Sequence, residues 1–296
     1  MDRCSLHQFL VAGPAALIRY KIAMSISQQL QKLKDGLAAS DRMPVVFLGH
    51  GSPMNAIEDN PYARSWARLG QALPRPQAIL VVSAHWMTRG STLVSVTARP
   101  ETIHDFYGFP QELFQQQYPA PGAPGLAAEV ASILASHHAE GDDTWGLDHG
   151  AWSVLKFLYP GADVPVFQLS IDMRADLPEH VAIGEALRGL RSRGVLILGS
   201  GNVVHNLREV RWGGGPAHDW AEEFDTFFAD RLGQGDIAAL SDRAGMGRLF
   251  NMAHPSFDHY LPALTVAGAA DAKDRLIFMN DSIDLGSVSM RSFVYY

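Results

Sequence analysis

Apolar residues in this chain recur in two ways. Continuous runs stand at residues 45–49, 78–83, 164–171 and 194–199, each closed by glycine or a polar residue. Runs this short, without polar alternation, suit strands covered by helices on both faces of a sheet. Residues 91–97 alternate, as an edge or antiparallel strand would, and residues 275–278 and 287–295 read as late strands. Between these runs the spacing changes to the helical period. Residues 24–41 place Ile26, Leu30, Leu33 and Leu37 along one face, residues 62–73 offer Trp66 and Leu69, and residues 125–137 carry Leu126, Val130, Ile133 and Leu134. Residues 179–190, 219–232 and 259–270 fill the later intervals. The alternation predicts one α/β domain with a mixed, mostly parallel central sheet flanked by helices. The proline-rich stretch 107–124 is expected to be a long loop crossing the mouth of a site. Gly213 to Gly215 read as a turn before a helix.

Composition adds mainly exclusions. A chain of 296 residues, 47% hydrophobic and 19% charged, can bury a core without disulfides or a structural metal. Its formal charge of −7, with no basic cluster interleaved with aromatics, argues against binding nucleic acid. The single cysteine, Cys4, rules out an intrachain disulfide and leaves no plausible catalytic thiol; it favours a cytoplasmic protein. Residues 9–18 are apolar and follow Arg3, a faint signal-peptide pattern. Gly13-Pro14 interrupts them, they are too short to span a bilayer, and no clean cleavage site follows, so neither export nor membrane attachment is expected. Residues 1–42 read as an N-terminal extension that the core domain, 43–296, need not include. No signal of oligomeric state is visible.

The chemistry-bearing residues are histidines placed where strands give way to loops. His50 stands between Gly49 and Gly51 just after the first run, so the backbone can turn and leave the ring exposed. A packed or helix-capping role is the competing reading, and a phosphate loop fails because no Lys-Ser/Thr follows. His85 closes the longest apolar run, beside Ser83 and Trp86, and could equally be a histidine satisfied at a strand end. His205 follows the permissive loop Gly199-Ser200-Gly201-Asn202, and His259 opens a helix after Asp258. Imidazole is the commonest protein ligand of catalytic divalent metals, and function in open α/β sheets gathers at strand carboxyl ends. His149 precedes a helix and His104 stands with Asp105 in the proline-rich region; each fits substrate contact, a helix cap or a solvated loop. His137, His138, His180 and His218 read as solvated, His7 belongs to the extension, and His254 is ambiguous.

Taken together, the stretches Gly49-His50-Gly51-Ser52-Pro53-Met54-Asn55, Ser83-Ala84-His85-Trp86, Ile103-His104-Asp105-Phe106-Tyr107-Gly108-Phe109-Pro110, Gly146-Leu147-Asp148-His149-Gly150, Gly199-Ser200-Gly201-Asn202-Val203-Val204-His205-Asn206 and Asp258-His259-Tyr260-Leu261-Pro262 resemble the LigB-like (class III) extradiol ring-cleavage dioxygenases. The DOPA 4,5-dioxygenase branch is the most similar. They stand in the family's order and cover the chain from about Met43 onward. The resemblance implies a LigB-like fold and one divalent metal, Zn2+ or Fe2+, with Fe2+ expected for oxygenase turnover. It implies His50, His85 and His259 as ligands, and His205 as a fourth ligand or the acid/base. His149 and His104 would line the pocket of a catechol that reacts with O2, His149 sharing in catalysis. Where the wider superfamily uses two histidines and a carboxylate, the third position here is His259, with Asp258 beside it; an all-histidine set suits zinc as readily as iron. His205 would take a catechol proton and return one during ring opening to a muconic-semialdehyde-type product. A zinc-dependent hydrolase and a non-enzymatic binding protein of the same fold are the alternatives.

Overall fold

A computed structural model describes residues 26–38 and 40–296. Cys4, His7 and the apolar stretch 9–18 lie outside the described residues. In chain order the elements are α1 (Ile26–Ala38), β1 (Val45–Gly49), α2 (Pro61–Ala72), β2 (Ala78–Thr88), β3 (Thr92–Ser95), α3 (Gln111–Phe114), α4 (Pro124–Ile133), β4 (Ala139–Asp142), α5 (His149–Leu158), β5 (Val166–Asp172), α6 (Leu177–Leu187) and β6 (Val195–Gly201). They continue with α7 (Asp219–Gly233), α8 (Ile237–Ser241), α9 (Arg243–Ala253), α10 (Leu261–Ala269), β7 (Leu276–Met279), β8 (Ile283–Asp284), β9 (Val288–Ser289) and β10 (Ser292–Tyr295).

Eight strands form one sheet in the order β4-β3-β5-β2-β6-β1-β10-β7. Its centre is parallel: β1 with β6, β6 with β2, and β2 with β5. The flanks are mixed, since β3 runs antiparallel to β5, and β10 antiparallel to both β1 and β7. The alternation in residues 91–97 therefore marked a strand that meets its inner neighbour antiparallel. The late run 287–295 is two strands, β9 and β10, because β9 leaves the large sheet to pair with β8.

The continuous runs are apolar on both faces because each face has its own core. In β1, Val45 and Phe47 join one cluster with residues of α4, α6, α7, α9 and α10. Val46 and Leu48 join the other, with α1, α2 and α5. Successive strand side chains point to opposite faces, so a two-sided core requires apolar residues at every position. Helix starts are written in short polar residues. The Asn60 side chain accepts from the amides of Tyr62 and Ala63 at α2, and Asp176 accepts from Glu179 at α6.

Helix α1 docks on the second core through Leu30, Leu33 and Leu37, each worth roughly 1.5–3 kcal/mol when fully buried. The segment after it is tied down by Arg191, whose Nε–H donates to the Met43 carbonyl at 2.8 Å. Arg191 is itself buried and paired at 2.5 Å to Asp274, whose side chain is only 1% exposed. Among the described residues no helix is long and apolar enough to cross a membrane.

Candidate functional site

The three central parallel strands deliver their carboxyl ends to one place. His50 directly follows β1; its amide donates to the Gly201 carbonyl at the end of β6, 3.0 Å away. Gly51, at φ +62°, makes the turn that follows, in a region other residues enter at a cost. Asn55 Nδ2 holds the His50 carbonyl at 2.9 Å, which keeps the turn closed. His85 lies inside β2, where the register against β5 shifts between Val82 and Met87. β1 and β2 are not neighbours, because β6 runs between them, and Ser200 of β6 bridges the gap.

That serine decides which nitrogen of His50 faces the site. Ser200 Oγ–H donates to the Gly150 carbonyl at 2.5 Å, so its oxygen accepts from His50 Nδ1–H at 2.9 Å. The lone pair of His50 is therefore on Nε2, and Nε2 lies 3.1 Å from His85 Nε2. Gly150 itself must be glycine: an added Cβ would stand 2.8 Å from His85 Cδ2 and 2.5 Å from Ser83 Oγ. His259, just before α10, donates Nδ1–H to Asp258, which also accepts from Ser256 Oγ. One ring nitrogen each of His50, His85 and His259 falls within 4.8 Å of the others.

Two further histidines close around this group. His149, the first residue of α5, has its ring centroid 3.8 Å from that of His85. Asp105 Oδ1 accepts from the His149 amide at 2.8 Å, and Oδ2 from His149 Nδ1 at 2.9 Å. The same Oδ2 lies 3.3 Å from His85 Nδ1. His205 follows β6, its amide held by the Ala253 carbonyl at 3.0 Å. Its ring lies flat on that of His259, centroids 3.5 Å apart and planes 8° from parallel. One nitrogen of His205 groups with Asp258 and His259 rather than with His50 and His85.

His104 is set farther back. Its Nε2–H donates to the Gln116 carbonyl at 2.9 Å, and its ring packs among Phe106, Phe114 and Trp152. Phe106 in turn meets the His149 ring edge-on at 5.5 Å. The contacts with the site thus come from His104 and Phe106, just before the proline-rich stretch 107–124; that stretch backs them through Phe114 and Gln116 and contains the short helix α3.

The electrostatics favour neutral, ligating imidazoles. Burial, and after it the neighbouring histidines, push His50 and His85 well below the ordinary histidine pKa. His205 is lowered for the same reasons, against an opposing pull from Asp258. The flanking carboxylates stay ionised: burial works against Asp258, but hydrogen bonds and charge from His259 outweigh it. Asp105 is likewise held below its usual value, hydrogen bonds from His149 overcoming its burial. Ring nitrogens of His50, His85 and His259, each backed by a hydroxyl or carboxylate on the ring's other side, are the donor set a divalent cation requires. Nε2 atoms about 2.0–2.1 Å from one ion would stand roughly 3 Å apart, so the residues fit a metal.

A second buried carboxylate, Asp148, serves structure. It caps α5 through the Ala151 amide and accepts from Ser83 Oγ at 2.6 Å and Gln168 Nε2 at 2.9 Å. The histidines expected in solvent differ among themselves. His138 is exposed, while His137 is half-buried against Glu179 and His218 half-buried on Trp220. His180 is buried, and its ring bonds the Asp172 carbonyl at 3.2 Å, because α6 turns that face onto the sheet. The ambiguous His254 is also buried, donating Nε2–H to the Val203 carbonyl at 2.8 Å. Asp105, Asp258 and Ser200 had no role assigned from the sequence; the available signal was an acidic residue directly beside a site histidine in His104-Asp105 and Asp258-His259.

Comparison with known proteins gives this geometry its context. The family described as "Catalytic LigB subunit of aromatic ring-opening dioxygenase" matches residues 44–284. The protein named "4,5-DOPA dioxygenase extradiol" from Escherichia coli (strain K12) is 47% identical over 268 residues, spanning 88% of this chain and 97% of that one. A protein of the same name from Beta vulgaris is 36% identical over 260 residues, 84% of this chain and 95% of its own length. The crystal structure of an uncharacterized protein from Escherichia coli K12 superposes with a TM-score of 0.73 at 42% identity, covering 86% of this chain and 99% of that one. The chain belongs to the LigB family of aromatic ring-opening dioxygenases, and it is an extradiol ring-cleavage enzyme.

Proposed function

We propose that His50, His85 and His259 hold one divalent metal ion, and that the enzyme uses O2 to open a DOPA-like catechol beside its diol, yielding a muconic-semialdehyde-type product. The observation that carries this reading is the approach of His50 Nε2 to His85 Nε2 at 3.1 Å, with the Nδ1 of His50 committed to Ser200. Two nitrogen lone pairs facing each other repel unless a proton or a cation stands between them. The relatives' name, which specifies DOPA and extradiol cleavage, supports the substrate class.

Bound Fe2+ would supply a Lewis acid that lowers the catechol pKa and a redox centre between ring and O2. The protein's own residues do the rest. His205, neutral and half-buried beside His259, accepts a catechol hydroxyl proton and returns it as the ring opens. His149 presents Nε2 to the substrate, its Nδ1 being held by Asp105. His104 lines the pocket through Nδ1 and its ring face, since Nε2 is spent on Gln116. Phe106 gives the catechol ring an apolar wall beside His149.

The test is anaerobic reconstitution of metal-free protein with Fe2+ or with Zn2+, followed by DOPA or other catechols and air. Oxygen uptake and a yellow product with iron, and none with zinc, are expected. Absence of turnover with every catechol would remove the proposal.

A further inference from the structure

We infer that Asp105 is a positioning residue: one carboxylate sets the tautomer of His149 and braces His85, coupling the substrate side of the site to its ligand side. This rests on the ring-opening reading and adds a residue to it. The carboxylate makes a two-point clamp, taking the His149 backbone amide on Oδ1 at 2.8 Å and the ring Nδ1–H on Oδ2 at 2.9 Å. An ionised carboxylate only accepts, so Nδ1 of His149 carries a proton, and in the singly protonated ring Nε2 is left as an acceptor for a catechol hydroxyl.

The segment that carries Asp105 is anchored at Ile103, two residues before the clamp. The Ile103 amide donates to the Leu147 carbonyl at 2.7 Å, and Trp152 Nε1–H donates to the Ile103 carbonyl at 2.9 Å. Trp152 and His149 both belong to α5, so clamp and anchor move with the same helix. Oδ2 also stands 3.3 Å from His85 Nδ1, and the His85 and His149 rings are 3.8 Å apart. A shift of this carboxylate is therefore felt on both rings.

The clamp predicts an unusual order of variants. In Asp105→Asn a single amide oxygen must face two donors, and the amide NH2 meets one of them. The backbone N–H cannot change, but the ring can, so His149 moves its proton to Nε2 and becomes a donor where an acceptor is needed. The isosteric variant should thus be no better than the truncation Asp105→Ala. A residue that only filled space would give the opposite order.

Two measurements decide it. Long-range 1H–15N correlation spectra of the full-length, metal-free protein, with His149 assigned by its loss in His149→Asn, should show Nδ1–H in the wild type and Nε2–H in Asp105→Asn. In protein saturated with Fe2+, both Asp105 variants should lose about 100-fold or more in kcat per bound iron with KM for DOPA within about threefold, while iron affinity falls by about 10- to 100-fold as His85 loses its brace. An unchanged His149 tautomer in Asp105→Asn, or an Asn variant close to wild type while Ala is inactive, overturns the inference. If wild-type protein fails with every catechol, the ring-opening reading falls, and the spectra still decide the role of Asp105.

Discussion

The imidazoles of His205 and His259 lie face to face, 3.5 Å between centroids and 8° from parallel. An imidazole nitrogen donates its lone pair in the plane of its ring. A cation in the plane of one of these rings therefore stands about 3.5 Å off the plane of the other. On the proposed reading the pair would supply one ligand, His259, and one neighbour, His205, with Asp258 orienting the ring of His259. His205→Ala should accordingly keep its metal and lose about 10²- to 10⁴-fold in turnover. His259→Ala should lose the metal itself. Metal per chain, measured beside single-turnover rates, separates the two; metal loss in His205→Ala would make it a ligand.

Gly150 is the second residue of α5, where alanine would ordinarily strengthen a helix by about 1 kcal/mol. Here an added Cβ would press on Ser83 Oγ at 2.5 Å and His85 Cδ2 at 2.8 Å. The hydroxyl is fixed by Asp148, so the histidine ring must yield. Gly150→Ala should weaken metal binding by about 10- to 100-fold, as loss of supporting contacts around a ligand does. Zinc titration by calorimetry checks this, with a far-ultraviolet spectrum to confirm the fold.

Arg191 and Asp274 form an ion pair, both side chains only 1% exposed. Removing one partner strands the other charge away from water. Asp274→Ala should cost roughly 3–5 kcal/mol of stability, read as a lower urea midpoint. The exposed pair of Arg75 and Asp163 should matter far less, so Asp163→Ala is expected to leave the urea midpoint close to that of the wild type.

His254 gives the fold a dependence on acid. Burial lowers its pKa from 6.5 to about 3, against smaller raising effects from the Val203 carbonyl and Asp258. The unfolded chain therefore takes up this proton first as pH falls. Stability is unaffected well above pH 6.5 and declines from there toward pH 3, by about 1.4 kcal/mol per pH unit from this group alone. Chemical unfolding at pH 7 and pH 5 should show a smaller acid loss in His254→Gln than in the wild type; equal losses would contradict the assignment.

Much of this molecule was legible before folding. The apolar runs at β1, β2, β5 and β6 announced strands buried on both sides, and Leu30, Leu33 and Leu37 announced the face of α1 that meets the core. Helix α8 escaped because it is short, and α9 because it is kinked at Gly247, which breaks the helical period. His180 was read as solvated because a lone histidine in a polar helix carries no mark of the face it will turn inward; packing on the sheet buried it.

By itself the sequence determined what depends on near neighbours: strand and helix periods, the glycine turn after His50, and the family motifs around the histidines. Only the tertiary structure decided which nitrogen of each ring faces inward. That choice rests on partners 150 residues away for His50 and 44 away for His149. Hydrophobic periodicity is written locally along the chain, whereas a hydrogen bond between Ser200 and His50, or Asp105 and His149, exists only once the topology of the sheet has brought their elements together.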